Sequence, residues 1–166
     1  MRIFDEDEAR GETLDPLDAL YRGEQIDPAA LHQLFTDQLD RRKLASAQQA
    51  LAALAQVDRA RLSPESRLSY DVFRLTKRRE VAWLQPDVRA LTSVRPFNHF
   101  GGLHVEFPTL MARNGAIAYR NEADYRHALR LEAAFAGVLD TAVLRFREGL
   151  TSGVVESKLT VANMIA

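Results

Sequence analysis

The chain has 166 residues, 46% of them hydrophobic and 27% charged, which suits one soluble domain burying about two-thirds of its unfolded surface. Its 22 basic and 23 acidic side chains give a formal net charge of -1, so the total carries no nucleic-acid footprint. With no cysteine, a disulfide framework, a thiol nucleophile and a cysteine-ligated zinc are all excluded.

The first 20 residues hold seven acids, Asp5 to Asp18, against Arg2 and Arg10. Residues 1–14 therefore read as an acidic, solvated and partly disordered terminus, followed by a single helical domain over 15–166. Acids stand where a secretory signal needs basic residues and an apolar run, and no stretch approaches the ~20 apolar residues of a membrane span. As written, the chain is expected in the cytoplasm; a signal peptide trimmed from its start would place it in the periplasm.

Asp15-Pro16 pairs a capping acid with proline at the first helical position and predicts a short helix over 16–22, ended by Gly23. Asp27-Pro28 repeats the signature. Leu31, Leu34, Phe35 and Leu39 form a first face, and Leu44, Ala47, Leu51, Leu54 and Ala55 continue the stripe. Between them, residues 40–43 (DRRK) mark a phase change or a short turn, and such a charge run reads as a solvated face. Ser63-Pro64-Glu65 opens a helix containing Leu68, Val72, Phe73, Leu75 and Trp83, which Pro86 stops near Gln85. Lys77, Arg78 and Arg79 suit the negative end of its dipole.

Residues 86–120 are the least regular, with a helical turn expected at 110–113 and a tight turn at Asn114-Gly115. Long irregular segments inside compact domains tend to be functional or mobile. Arg95, Asn98, His99, Phe100 and His104, beside Gly101-Gly102, are the candidate substrate-binding residues: donors and aromatics that can line a cleft. A loop packed over a bundle uses the same residue types, so both readings stand.

Residues 121–153 hold the longest amphipathic face, with Tyr125, Ala128, Leu129, Phe135, Ala136, Leu139, Ala142, Val143 and Phe146 at helical spacing. Asn121 caps its start and Asp124 offers a capping-box-like return, while Gly149 and Gly153 are stopping points. A helix over 121–149 is roughly 40 Å long and needs partners along its length. Ala133, Ala134, Ala136 and Gly137 form a low-profile strip for a close neighbour. Ser157 then caps a last helix with Leu159, Ala162, Met164 and Ile165, which reaches Ala166 with no stop signal and reads as cut inside an element.

No HExxH pair, phosphate-binding glycine loop or G-x-S-x-G elbow occurs. His32, His99, His104 and His127 read as structural or surface residues, and neither a metal site nor a catalytic residue is expected.

The segment RPFNHFGGLHVEFPTLM, followed by IAYRNEADYRHALRLEAAFAGVLDTAVLRFREGLTSGVV, resembles the bacterial domain-of-unknown-function-885 family. The family pattern is a proline–x–asparagine–glutamine-like segment with a nearby glycine, an aspartate–tyrosine helix start, and a closing Gly-x-x-x-Gly-Val turn. Here those positions are Pro96, Asn98, His99, Gly102, Asp124, Tyr125, Gly149, Gly153 and Val154. Upstream, Asp58-Arg59, Leu62-Ser63 and the run LSYDVF at 68–73 match as well, so the resemblance covers 15–166. His99 stands where glutamine is common, and Glu156 or its neighbours replace the usual proline.

The resemblance implies a zinc carboxypeptidase-like protein, largely helical and several times this length. Its downstream HExxH supplies two zinc-binding histidines and a general-base glutamate that activates the attacking water. No position here matches that motif, so no cofactor is expected in this chain and zinc is implied only for full-length relatives. Relatives often carry an export signal, which the written chain lacks.

The expected fold is all-α, an irregular bundle of four to six helices around the long helix near 121–149. The chain is expected not to be an enzyme itself. It would be the non-catalytic N-terminal scaffold of a metallopeptidase-like protein, with loop 95–104 facing substrate on one wall of a peptide-binding cleft. Its expected partners are a missing C-terminal catalytic half or a partner helix, and a peptide; a homo-oligomer is compatible, and nucleic acid is not expected. Two other readings are a stand-alone helical protein-interaction module and a small-molecule-binding helical bundle.

Overall fold

The structure, a computed structural model, describes residues 2–165. Met1 and Ala166, the end members of the expected acidic terminus and the expected last helix, lie outside them. Among the described residues the fold is all-α, as expected, with no strand. The helices are α1 (Arg2–Leu14), α2 (Pro16–Tyr21), α3 (Pro28–Leu31), α4 (Asp37–Ala55), α5 (Pro64–Trp83), α6 (Pro86–Thr92), α7 (Leu103–Met111), α8 (Glu122–Ser152) and α9 (Lys158–Ile165). A 3-10 turn, Arg59–Arg61, precedes α5. The number exceeds four to six because α2, α3, α6 and α9 are only four to eight residues long.

Capping sets most of the helix starts. Asp15, Asp27, Asp58 and Ser63 accept bonds from the backbone N–H of Asp18, Ala29, Ala60 and Ser66. Asn121 and Ser157 do the same for Asp124 and Thr160, and each such cap contributes about 1 kcal/mol. The return from Asp124 goes one residue further back than a capping box: its carboxylate accepts from Arg120 N at 2.8 Å.

The chain divides into two compact units, Met1–Leu14 with Asp37–Arg89, and Asp15–Thr36 with Ala90–Ala166.

In the first unit α4 packs on both α1 and α5, burying Leu14, Leu39, Ala47, Ala50, Leu54 and Tyr70. Residues 2–14 are helix rather than frayed terminus, because they carry side chains that the unit uses. Phe4 meets Phe73 with ring centroids 4.6 Å apart. Asp7 is buried, with Lys77 Nζ at 2.7 Å and Arg10 at 3.6 Å, and Lys77 also reaches Glu80 at 2.9 Å. Residues 40–43 do not interrupt α4. The break falls earlier, at residues 32–36, where Phe35 takes a positive φ of 63°.

In the second unit α8, of 31 residues, is about 46 Å long at about 1.5 Å per residue. Leu131, Phe135, Val138 and Ala142 of α8 are buried, as are Leu20, Leu31, Phe97, Phe107 and Leu110. Phe107 stacks on Phe135 at 4.0 Å. The small strip on α8 does receive a close neighbour. Helix α3 packs there, His32 Nδ1 lies 3.3 Å from Ala134 O, and a Cβ on Gly137 would collide with the His32 ring. Gly149 is not the helix end. It stays helical and lets the backbone pass Val94 and Val154, where a Cβ would meet Val154 O at 2.6 Å. The stop is Gly153, in the left-handed conformation at φ 79°.

The region expected to be irregular holds more helix than its composition suggests. Helix α6 starts on Pro86, and α7 begins at Leu103 rather than Leu110 and continues past Pro108.

Candidate functional site

The loop between α6 and α7 is built on Phe97. Its buried ring meets Phe35 at 5.5 Å, His104 at 4.7 Å and Phe146 at 6.2 Å between centroids. Beyond this anchor the backbone turns back on itself: Asn98 N–H donates to Gly101 O at 3.2 Å. The Asn98 side-chain oxygen accepts from Phe100 N at 2.9 Å and Gly101 N at 3.2 Å, which holds the turn closed. Gly102, at φ 152°, closes the base, and a Cβ there would stand 2.9 Å from the Phe97 ring and 3.0 Å from His104 Nδ1.

These contacts sort the five sequence candidates. His104 turns inward against Phe97, and its shielded Nδ1 makes no hydrogen bond among the described residues. Asn98 is occupied by the turn. Arg95 folds back on the end of α6, donating to Leu91 O at 3.3 and 3.4 Å, with Glu156 3.9 Å away. His99 and Phe100 form the tip, their ring centroids 3.8 Å apart, and Phe100 is 89% exposed. Near the base, Glu106 of α7 accepts from the Tyr21 hydroxyl at 2.6 Å; that bond first, and burial second, raises the Tyr21 pKa above its ordinary value.

Two further concavities lie in the second unit. One, of about 520 Å³, is lined by Val94, Phe146, Leu150, Val155, Val161 and Ile165, between the end of α8 and α9. The other, of about 860 Å³, follows α7 and is lined by Met111, Arg113, residues 115–119 and Tyr125. There the Tyr119 hydroxyl donates to Met111 O at 2.7 Å, and its ring lies 5.0 Å from Tyr125. Sequence reasoning missed this second cleft. Arginine, alanine and tyrosine after an Asn-Gly turn carry no signature of a concave surface until α7 and α8 bracket them.

Among the described residues no three His, Asp or Glu side chains come together as a metal site requires. No described helix is long and apolar enough to cross a membrane. A family model described as "Bacterial protein of unknown function (DUF885)" matches residues 16–166. Neither a curated protein nor a solved structure matches the chain. Helix α1 lies outside the family match.

Proposed function

The chain belongs to the DUF885 family of bacterial proteins, and from that premise we propose that it is a non-catalytic helical scaffold of a metallopeptidase-like protein. On this reading it forms one wall of a peptide-binding cleft, and the zinc chemistry belongs to a catalytic half supplied beyond these residues. The observation that carries the reading is the braced turn after α6. Its aromatic tip is held outward, with Phe100 89% exposed, while Phe97 and Asn98 fix the backbone beneath it. A rigid exposed aromatic is a low-entropy contact for a peptide. The apolar groove beside α9 supports a contact face for the catalytic half or a partner helix, since Leu159 and Ile165 are 71% and 81% exposed.

A photo-reactive phenylalanine analogue at position 100 should cross-link to an added peptide. Zinc-dependent peptide hydrolysis by residues 1–166 alone, abolished by a chelator, would sink the proposal.

One observation favours the interaction-module reading. Leu68, Val72 and Leu75 of α5, at alternating four- and three-residue steps, are 66%, 56% and 53% exposed, the spacing of a helix-pairing seam. Light scattering separates the two readings: a concentration-dependent oligomer lost in Leu75→Glu favours the module, and a monodisperse monomer argues against it.

A further inference from the structure

We infer that the cleft after α7 binds a carboxylate carried on an aromatic group. Its volume, about 860 Å³, lies within the range of small-ligand sites. Three kinds of group converge on it. Arg113 is exposed and has no hydrogen bond or ion pair among the described residues, leaving a planar guanidinium ready for the two oxygens of a carboxylate. The backbone N–H groups of Ala116, Ala118 and Tyr119, along the same wall, donate to no described acceptor. Such donors are strongest toward an ionised oxygen.

The third group is the tyrosine pair. Tyr119 is anchored through its hydroxyl on Met111 O, and Tyr125, 56% exposed, packs 5.0 Å from it. Together they offer a fixed aromatic surface on which a flat apolar group stacks. Burial first, then the Glu132 carboxylate and Tyr125, raise the Tyr119 pKa, so its phenol stays a neutral donor. Glu132 also sets the ligand's direction: its negative charge places an incoming carboxylate at the Arg113 end and the aromatic group over the tyrosines. None of the cleft's residues belongs to loop 95–104, so this site stands apart from the proposed scaffold role.

The test is a titration of the intact chain, followed by amide and aromatic NMR signals, with N-acetylphenylalanine and with its amide. The acid should give saturable shifts at Ala116, Ala118, Tyr119 and Tyr125, about tenfold tighter than the uncharged amide. Arg113→Gln should weaken the acid about tenfold and leave the amide unchanged, while Arg113→Lys keeps part of the affinity. Because Arg113 is exposed, unchanged signals elsewhere confirm that the variants fold. A tripeptide ending in phenylalanine that binds tighter than the acid assigns the site to peptide termini, and equal binding assigns it to free acids; both sustain the inference. Equal binding of acid and amide, shifts outside the cleft, no saturable shift, or an Arg113→Gln variant with full affinity overturns it.

Discussion

Arg145 Nε donates to the backbone oxygen of Phe35 at 2.8 Å, joining the C-terminal third of the long helix to a turn 110 residues earlier. Phe35 is the one described non-glycine residue at positive φ, 63°, and Arg145 is buried, also meeting Glu148 at 2.8 Å. A left-handed phenylalanine costs about 1–3 kcal/mol and persists only where its surroundings determine it. The charged bond from Arg145 and the ring contact with Phe97 provide that determination. Arg145→Met should lower stability by about 2–3 kcal/mol in urea unfolding, the loss of a charge-assisted bond to a carbonyl left without it. Arg145→Lys should recover little, because an ammonium does not reproduce the guanidinium fork. Full stability in both variants would show that the turn holds itself.

Gly137→Leu should destabilise the fold by overpacking, by about 1–3 kcal/mol or more, since even a Cβ meets the His32 ring. The milder Gly137→Ala tests the same contact. Its cost should shrink when His32→Ala opens the space, a coupling that a double-mutant cycle reads directly. Additive losses would place the strain elsewhere.

Alkaline pH should erode stability through Lys77, Tyr21 and Tyr119. For Lys77, burial favours the neutral amine, but the hydrogen bonds to Asp7 and Glu80 outweigh it and raise the pKa. For Tyr21 the bond to Glu106 leads, and for Tyr119 burial leads, both raising the pKa. All three hold their protons more tightly when folded. Their stabilisation is therefore complete below the ordinary values, near 10 for the tyrosines and 10.5 for the lysine, and is lost as pH climbs from there through the raised values. Melting temperature should fall from about pH 10 upward, and Lys77→Met and Tyr21→Phe should each flatten that fall. Parallel curves for wild type and variants would refute the assignment.

The turn after α6 should separate stability from recognition. Gly102→Val puts a branched side chain at φ 152° against Phe97 and His104, and should lower the melting temperature. Phe100→Ser changes an exposed tip and should leave melting unchanged while weakening binding of a fluorescently labelled peptide, read by anisotropy. Peptide capture unaffected by Phe100→Ser would detach the tip from binding.

Helix starts were legible because a cap is a local event. Ser63-Pro64-Glu65, Asn121 and Ser157 each place an acceptor within three residues of the N–H it satisfies. The family was legible too, through motifs spaced along most of the chain. Short helices were harder to read. Helix α7 runs through Pro108, which a local rule reads as a breaker, and packing of Leu103, Phe107 and Leu110 into the core outweighs that preference. In the candidate loop, sequence could propose residues for a cleft but could not assign their roles. Whether a histidine stands at the tip, like His99, or lies on Phe97, like His104, depends on a ring cluster drawn from Phe35 and Phe146.

By itself the sequence determined an all-α chain, its long helix and most of its caps, because apolar periodicity and capping act over one or two turns. Only the tertiary structure decided that the acidic start is a packed helix, through Phe4 on Phe73 and Asp7 on Lys77. It also decided that Gly149 is a passing place rather than a stop, and that Arg113, Tyr119 and Tyr125 share a cleft. Those outcomes depend on which distant residue arrives at a given surface. No local window contains that partner, so the physics that selects it operates only once the helices have packed.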